Sequence, residues 1–303
     1  MELAQITFHQ ILIMVMLLGA GLVCAKVGLI DEPTNKNLSG LLIKVITPVV
    51  VIVSFQREFE MELVRGLLLS LLLSVVAFAI MIPLAHFLFR DKEGKSYPIE
   101  KFATIYSNCG FIGIPLVNGV FGMEGVFYLT AFITLFNLLI FTHGVMIMSS
   151  SFSLKVMKKA LLSPAIIGIA IGLLLFVVQI RLPEFIFSPL QLISDMNTPL
   201  AMLVGGASMA GMHLPKMLKD KRIYHIAGLR LVAIPALLLV VFLLIPAPLI
   251  ITGTVLIAAS APVATSLILF AYEYDKDALF ASELFAASTL LSLITLPILM
   301  IFL

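Results

Sequence analysis

The segment KFATIYSNCGFIGIPLVNGVFG, residues 101–122, is apolar enough to lie within a membrane, yet its middle contains residues that disrupt helices: Asn108, Gly110, Gly113 and Pro115. Proline removes a backbone hydrogen bond, and each glycine weakens a helix by about 1 kcal/mol relative to alanine. The segment therefore predicts a helix that breaks near residues 110–115. Backbone freed by such a break is tolerated at membrane depth only where it is buried in protein or lines a watery cavity.

A second segment of the same kind, TVLIAASAPVATSLILF, lies at residues 254–270. Pro262 stands in its middle, among the hydroxyl-bearing residues Ser260, Thr265 and Ser266. A half-helix that begins at a break presents free N–H groups and about half a positive charge, which suits an anion. Two broken helices therefore predict a transporter site. The alternative is a pair of ordinary proline kinks packed by small residues.

The chain as a whole is also apolar, with 61% hydrophobic and 12% charged residues, whereas soluble domains have about 25% charged residues. Because about 20 apolar residues cross a bilayer, the 303 residues predict an all-α membrane protein with ten transmembrane helices, near residues 6–30, 38–55, 63–89, 101–119, 124–148, 158–180, 190–213, 224–245, 248–270 and 277–302. The short connections leave no room for a soluble catalytic or nucleic-acid-binding domain. The two cysteines, Cys24 and Cys109, lack metal-site spacing and are expected to be free thiols.

Basic residues are distributed unevenly over the two faces that ten alternating spans define. One face has only Arg57, Arg65 and Arg181, and Lys44 and Arg230 fall inside spans. The other face has Lys26, Lys36, Arg90, Lys92, Lys95, Lys101, Lys155, Lys158, Lys159, Lys216, Lys219, Lys221, Arg222 and Lys276. Because positively charged loops stay in the cytoplasm, this distribution predicts a multi-pass protein of the plasma (inner) membrane with both termini outside the cytoplasm.

The two halves of the chain share weak internal similarity. The pair Thr47-Pro48 recurs as Thr198-Pro199, 151 residues later, and the same offset places Asp195 opposite Lys44. Pro115 and Pro262 are 147 residues apart, and Glu124 and Asp277, which open spans 5 and 10, are 153 apart. A repeat of five spans inverts its copy, so residues 1–150 and 151–303 are predicted to form two inverted five-helix repeats.

Ionisable residues inside spans usually face a cavity or a partner. Lys44 could supply a cation for a carboxylate, and Asp195 or Glu283 could bind a coupling proton or sodium ion. The alternative for Lys44 and Asp195 is that they pair with each other or with backbone groups. Arg230, about two turns into its span, is expected to extend its side chain to the cytoplasmic surface.

The motifs SNCGFIGIPLV (107–117) and SAPVATSLILFAYEYDKDALFASELFAASTLLSLITLPIL (260–299) resemble the auxin efflux carrier family, which includes bacterial malate and malonate permeases and belongs to one superfamily with the bile acid/sodium symporters. The resemblance implies a scaffold of helices 1, 2, 6 and 7 and a mobile transport domain of helices 3–5 and 8–10. It also implies a substrate site at the crossing of the broken helices, with Asn108 and Pro115 in the first and Pro262 in the second, and Lys44 in the span where plant members have a charged support site.

These observations favour a secondary active transporter of a small organic anion, a mono- or dicarboxylate, that works by elevator-type alternating access. The expected substrate-binding residues are Asn108, Gly110, Gly113, Pro115, Ser260, Pro262, Thr265 and Lys44. The alternatives are a sodium-coupled symporter of a larger amphipathic organic acid and a membrane sensor or channel. An enzyme is not expected, nor a cofactor beyond a coupling proton or sodium ion. The expected partners are the carboxylate, the lipid bilayer and a second copy bound through the scaffold helices, with no nucleic acid.

Overall fold

The computed structural model describes residues 2–90, 97–149, 162–210 and 220–303. In chain order the helices are α1 (Glu2–Lys26), α2 (Glu32–Ser54), α3 (Met61–Leu88), α4 (Pro98–Ile105), α5 (Cys109–Ser149), α6 (Pro164–Val178), α7 (Glu184–Asp195), α8 (Asn197–Ser208), α9 (Lys221–Leu243), α10 (Leu249–Ser260), α11 (Ser266–Glu273) and α12 (Ala278–Met300). Across the described ranges there is no strand, so the all-helical prediction is confirmed there. The predicted cytoplasmic residues Lys92, Lys95, Lys155, Lys158, Lys159, Lys216 and Lys219 lie outside these ranges.

Six of the helices are long and apolar enough to cross a membrane, namely α1, α2, α3, α5, α9 and α12. Two shorter helices, α6 and α10, are also apolar. Large apolar side chains on their outer faces are exposed, as Leu68 and Leu72 of α3 show. In water such surfaces would associate, whereas lipid accommodates them. These features fit a multi-pass membrane protein.

Helix α5 is 41 residues long and turns back on itself at Gly122. Gly122 has φ 64° and ψ −164°, a conformation that only glycine adopts readily. A β-carbon placed on Gly125 would lie 2.8 Å from Cγ1 of Val117, although eight residues of straight helix extend about 12 Å. The halves 109–121 and 123–149 therefore pack against each other. This agrees with the predicted end of span 4 at residue 119 and start of span 5 at residue 124.

Three π-turns precede prolines inside long helices. They span Leu42–Ile46, Cys109–Gly113 and Leu229–Ala233, and the prolines follow at positions 48, 115 and 235. A proline has no N–H, and its ring clashes with the carbonyl four residues earlier. A wider turn removes this clash without ending the helix, as in other membrane helices that tolerate proline.

Close helix contacts through glycine join the first and second halves of the chain. A β-carbon on Gly21 of α1 would overlap the carbonyl oxygen of Leu203 in α8, and one on Gly206 of α8 would overlap that of Leu18 in α1. On α6, a β-carbon on Gly168 would lie 2.9 Å from Cα of Pro48 in α2. Lipid provides no hydrophobic force that would drive membrane helices together, so their association depends on close packing. Small residues such as these glycines permit that close approach.

We expect Gly21→Ala to destabilise the protein, because its new methyl group would meet backbone atoms that cannot move independently. Overpacking of this kind typically costs about 1–3 kcal/mol. The matched control is Gly19→Ala in the same helix, where a β-carbon would meet no atom within 4 Å. Thermal unfolding of the purified variants measures the difference, and equal melting temperatures would show that the α1–α8 contact is not close.

Candidate functional site

Two extended segments cross where α4 gives way to α5 and α10 to α11. The backbone N–H of Asn108 donates to the carbonyl oxygen of Pro262 at 2.7 Å, and the N–H of Ala264 donates to that of Tyr106 at 3.0 Å. Ser107 and Val263 thus face each other as an isolated antiparallel bridge. This pairing satisfies backbone groups that have no helical partner, which burial at this depth requires.

Each interruption has a local cause in the sequence. Ala261 is extended, with φ −57° and ψ 153°, as expected for a residue that precedes proline. Asn108 caps the helix that follows it, because its Oδ1 accepts a hydrogen bond from the N–H of Phe111 at 3.2 Å. Asparagine is among the best residues for this position.

The first break therefore lies at residues 106–108 rather than at residues 110–115, so that part of the sequence prediction is wrong. The helix resumes at Cys109, which places Gly110, Gly113 and Pro115 inside its first turns. Pro115 follows the π-turn and occupies the N-terminal end of a regular helix, where its missing N–H costs little. The second break lies at residues 261–265, as predicted.

Arg230 of α9 lies beneath the crossing, with 0% of its side chain exposed. Its guanidinium donates to carbonyl oxygens at the C-terminal ends of α4 and α10: those of Thr104 at 3.1 Å, Ala259, and Ala261 at 3.0 and 3.1 Å. The expectation that Arg230 reaches the cytoplasmic surface is wrong, because its side chain is fully buried and donates to carbonyl oxygens that have no partner at the ends of their helices.

The N-terminal ends of α5 and α11 remain open at the same place. In the part of the chain that the structure describes, no backbone carbonyl accepts a hydrogen bond from the N–H groups of Gly110 and Ser266. A β-carbon on Gly110 would meet no atom within 4 Å, so there is free space beside this helix end. Ser260 is 1% exposed, and its hydroxyl has no partner within the part of the chain that the structure describes.

The structure thus brings together Asn108, Ser260, Pro262 and Thr265. Gly110 lies two residues after Asn108, in the first turn of α5. Gly113 and Pro115 are buried farther along α5. Glu283 is buried in α12, the helix whose Ser288 accepts a hydrogen bond from the N–H of Val263 at 3.1 Å. Ser288 belongs to the crossing and was not among the predicted residues.

Lys44 and Asp195 are exposed and do not form an ion pair with each other. Lys44 lies in the π-turn of α2, which packs against α6 and α8. Asp195 ends α7, and its Oδ1 accepts a hydrogen bond from Gln191 at 2.8 Å. The structure therefore does not place these two charges among the crossing residues.

Two further polar contacts surround the crossing. The hydroxyl of Tyr106 donates to the carbonyl oxygen of Leu139 at 3.0 Å and lies 2.8 Å from Nδ1 of His143. At the other end of α4, the buried Glu100 carboxylate accepts a hydrogen bond from Nε of Arg222 at 2.9 Å. These contacts fix α4 to α5 and α9, so both ends of the first broken helix are held.

A separate cavity of about 350 Å³ opens between the α2–α3 connection and the end of α6. It carries Arg57 and Arg181, and Arg181 pairs with Glu58 at 2.9 Å. Burial lowers the pKa of the Arg57 guanidinium, an effect that the nearby Glu124 carboxylate opposes. No crossing residue lines this cavity.

Comparison with known proteins agrees with this architecture. Residues 6–300 match a family described as "Membrane transport protein". The chain is also 24% identical over 302 residues to an uncharacterized transporter of Methanothermobacter thermautotrophicus, with 96% of each chain covered. The family match extends over nearly the whole sequence and includes both interrupted segments. The chain therefore belongs to the membrane transport protein family.

Proposed function

We propose that this transporter carries a small mono- or dicarboxylate by secondary active transport, with the anion bound at the crossing of the two interrupted helices. The observation that supports this proposal is the arrangement of charges at the crossing. Four helix ends meet, two C-terminal and two N-terminal, and Arg230 contacts only the C-terminal pair.

Each helix end carries about half an elementary charge, negative at the C-terminus and positive at the N-terminus. The guanidinium therefore offsets the two negative ends, and the positive ends of α5 and α11 stay uncompensated. With the N–H groups of Gly110 and Ser266, which have no backbone carbonyl partner, and the hydroxyl of Ser260 nearby, the net field favours an anion with several oxygen acceptors. A carboxylate has this chemistry.

The transport cycle that we propose is an elevator movement within ten spans arranged as two inverted repeats. Under that arrangement, the contact between spans 1 and 7 corresponds to the contact between spans 6 and 2. Close glycine contacts occur at both places, Gly21 with Leu203 and Gly168 with Pro48. These four spans form the scaffold in this proposal, and the crossing moves with the remaining helices.

The plasma membrane location, the external termini and a homodimer formed through the scaffold are parts of the same proposal. Proton or sodium coupling supplies the energy, since the sequence contains no GxxxxGK nucleotide-binding loop. Glu283, which is buried in α12 five residues before Ser288, is the proposed proton-binding residue in this scheme. Lys44 and Asp195 are proposed to contribute their charges, to the carboxylate and to a coupling ion respectively, from the scaffold helices α2 and α7.

Uptake into liposomes tests the proposal. Purified protein should give saturable uptake or exchange of at least one labelled mono- or dicarboxylate when a gradient is imposed. Arms with larger amphipathic acids and with sodium distinguish the symporter alternative, and unsaturable flux would indicate a channel. Transport of organic cations with no carboxylate transported would contradict the anion site.

We expect Gly110→Val to weaken carboxylate binding by at least about tenfold, or ~1.4 kcal/mol. The β-carbon of the valine would meet no atom within 4 Å, so its side chain would take up free space at the start of α5. The matched control is Gly40→Val in α2, where a β-carbon also meets nothing within 4 Å. Binding is measured by the ligand-induced shift in melting temperature, and unchanged affinity in Gly110→Val would remove this helix end from the site.

A further inference from the structure

The carbonyl oxygens around Arg230 form a cage that resembles a cation site. They come from two helix C-termini and the extended residue Ala261, and they approach the guanidinium from α4 on one side and α10 on the other. In transporters with interrupted helices, carbonyls of this origin, on unwound backbone and half-helix C-terminal ends, coordinate sodium ions. Here the same type of oxygen set already binds a positive charge.

The charge of the cage is balanced without any carboxylate. Two helix C-termini together present about one negative charge, which matches the single positive charge of the guanidinium. Among the described residues no acidic side chain pairs with Arg230, and its other contacts are with the carbonyl oxygen of Ile105, at the end of α4, and the sulfur of Met81, both at 3.5 Å. A buried arginine without such compensation would be strongly destabilising.

We propose that Arg230 is a resident cation that occupies the place of a coupling sodium ion, so that the crossing takes up no alkali cation and anion binding there does not require one. Its meaning for transport rests on the proposed function. The side chain is tethered to α9, whose π-turn Leu229–Ala233 carries it into the cage, so this cation stays bound in every cycle. Coupling must then come from another group, such as a proton on a carboxylate.

The experiment measures thermal unfolding and needs no substrate. Wild-type protein is compared in sodium chloride and in N-methylglucamine chloride at equal ionic strength, and its melting temperature should be the same in both. Arg230→Ala empties the cage. Its melting temperature should be lower and should rise by about 3–6 °C in sodium, or in millimolar guanidinium, which restores the missing group.

Two further variants make the result specific. Lys221→Ala, an exposed residue at the start of the same helix, should respond to neither ion. Arg230→Lys keeps the charge with fewer donors, so it should be less stable than wild type yet insensitive to sodium. It replaces the alanine variant as the test if that variant does not fold.

Stabilisation of the wild type by sodium would overturn the proposal, whatever the variants do. It would also be overturned if Arg230→Ala folds and neither sodium nor guanidinium stabilises it, since the cage would then not bind cations. Because no transport is measured, these outcomes differ from a failure of the carboxylate assay. Sodium-independent melting together with absent carboxylate uptake would reject the proposed substrate and retain the resident cation.

Discussion

Arg230→Met is expected to lower the free energy of unfolding by on the order of 4 kcal/mol and to abolish transport. Methionine retains much of the volume of the side chain but has no donor, so the carbonyl oxygens of Thr104, Ala259 and Ala261 lose their shared partner. A buried acceptor without a partner costs about 1–3 kcal/mol. The two helix ends would also face each other with like partial charge.

Thermal and denaturant unfolding in detergent measures this loss, and reconstituted uptake measures the second effect. Lys221→Met is the matched control, because it removes an exposed cation from the same helix and should change stability by less than about 0.5 kcal/mol. A methionine variant as stable as this control would mean that the guanidinium does not hold the two interrupted helices together.

The positions of the helices could be predicted from the sequence because lipid imposes a strong constraint on composition. A span must be apolar over about 20 residues, and the predicted span 63–89 matches α3, Met61–Leu88, within two residues. The turn between predicted spans 4 and 5 was also placed correctly. It falls on Gly122, which has a positive φ that would be strained for a residue with a side chain.

The first break was misplaced because its cause is a cap rather than a proline. Pro115 is the stronger helix-breaking residue, but a π-turn accommodates it, whereas Asn108 ends the interruption by accepting from the N–H of Phe111. The capping preference of asparagine is visible in the sequence and could have indicated residue 108 as the start of the helix. Pro115 and Pro262 therefore do not occupy equivalent positions, although their spacing suggested that they do.

The contacts of Arg230 could not be predicted, because its partners are backbone carbonyls. Such groups carry no side-chain signature, and those that bind Arg230 are 29 to 126 residues away in the chain. Hydropathy places the arginine inside a span but does not say what faces it. Only the crossing of α4 and α10 brings their C-terminal ends to one point.

Asn108→Asp is expected to weaken carboxylate binding by on the order of 100-fold with little change in stability. Aspartate keeps an oxygen that can accept from the N–H of Phe111, and a negative charge at a helix N-terminus is favourable in itself. The variant replaces the amide donor with a charge that repels a bound anion, and about 2.7 kcal/mol of repulsion accounts for the expected loss. Binding is measured at about pH 8, where the new carboxyl is ionised in water.

Asn108→Ser removes the amide donor without adding a charge, so it separates the loss of the hydrogen bond from the repulsion of the anion. Serine is also a good capping residue, so the helix should remain intact and the stability should stay within about 1 kcal/mol of wild type. The hydroxyl is shorter than the amide, and we expect affinity to fall by about tenfold, as for one lost hydrogen bond. Equal losses in the two variants would show that the amide contact matters and that the anion is too distant to feel the charge. Wild-type affinity in Asn108→Asp would place the substrate away from the start of α5, and would leave the uncompensated helix end without the role that the geometry of the crossing suggests.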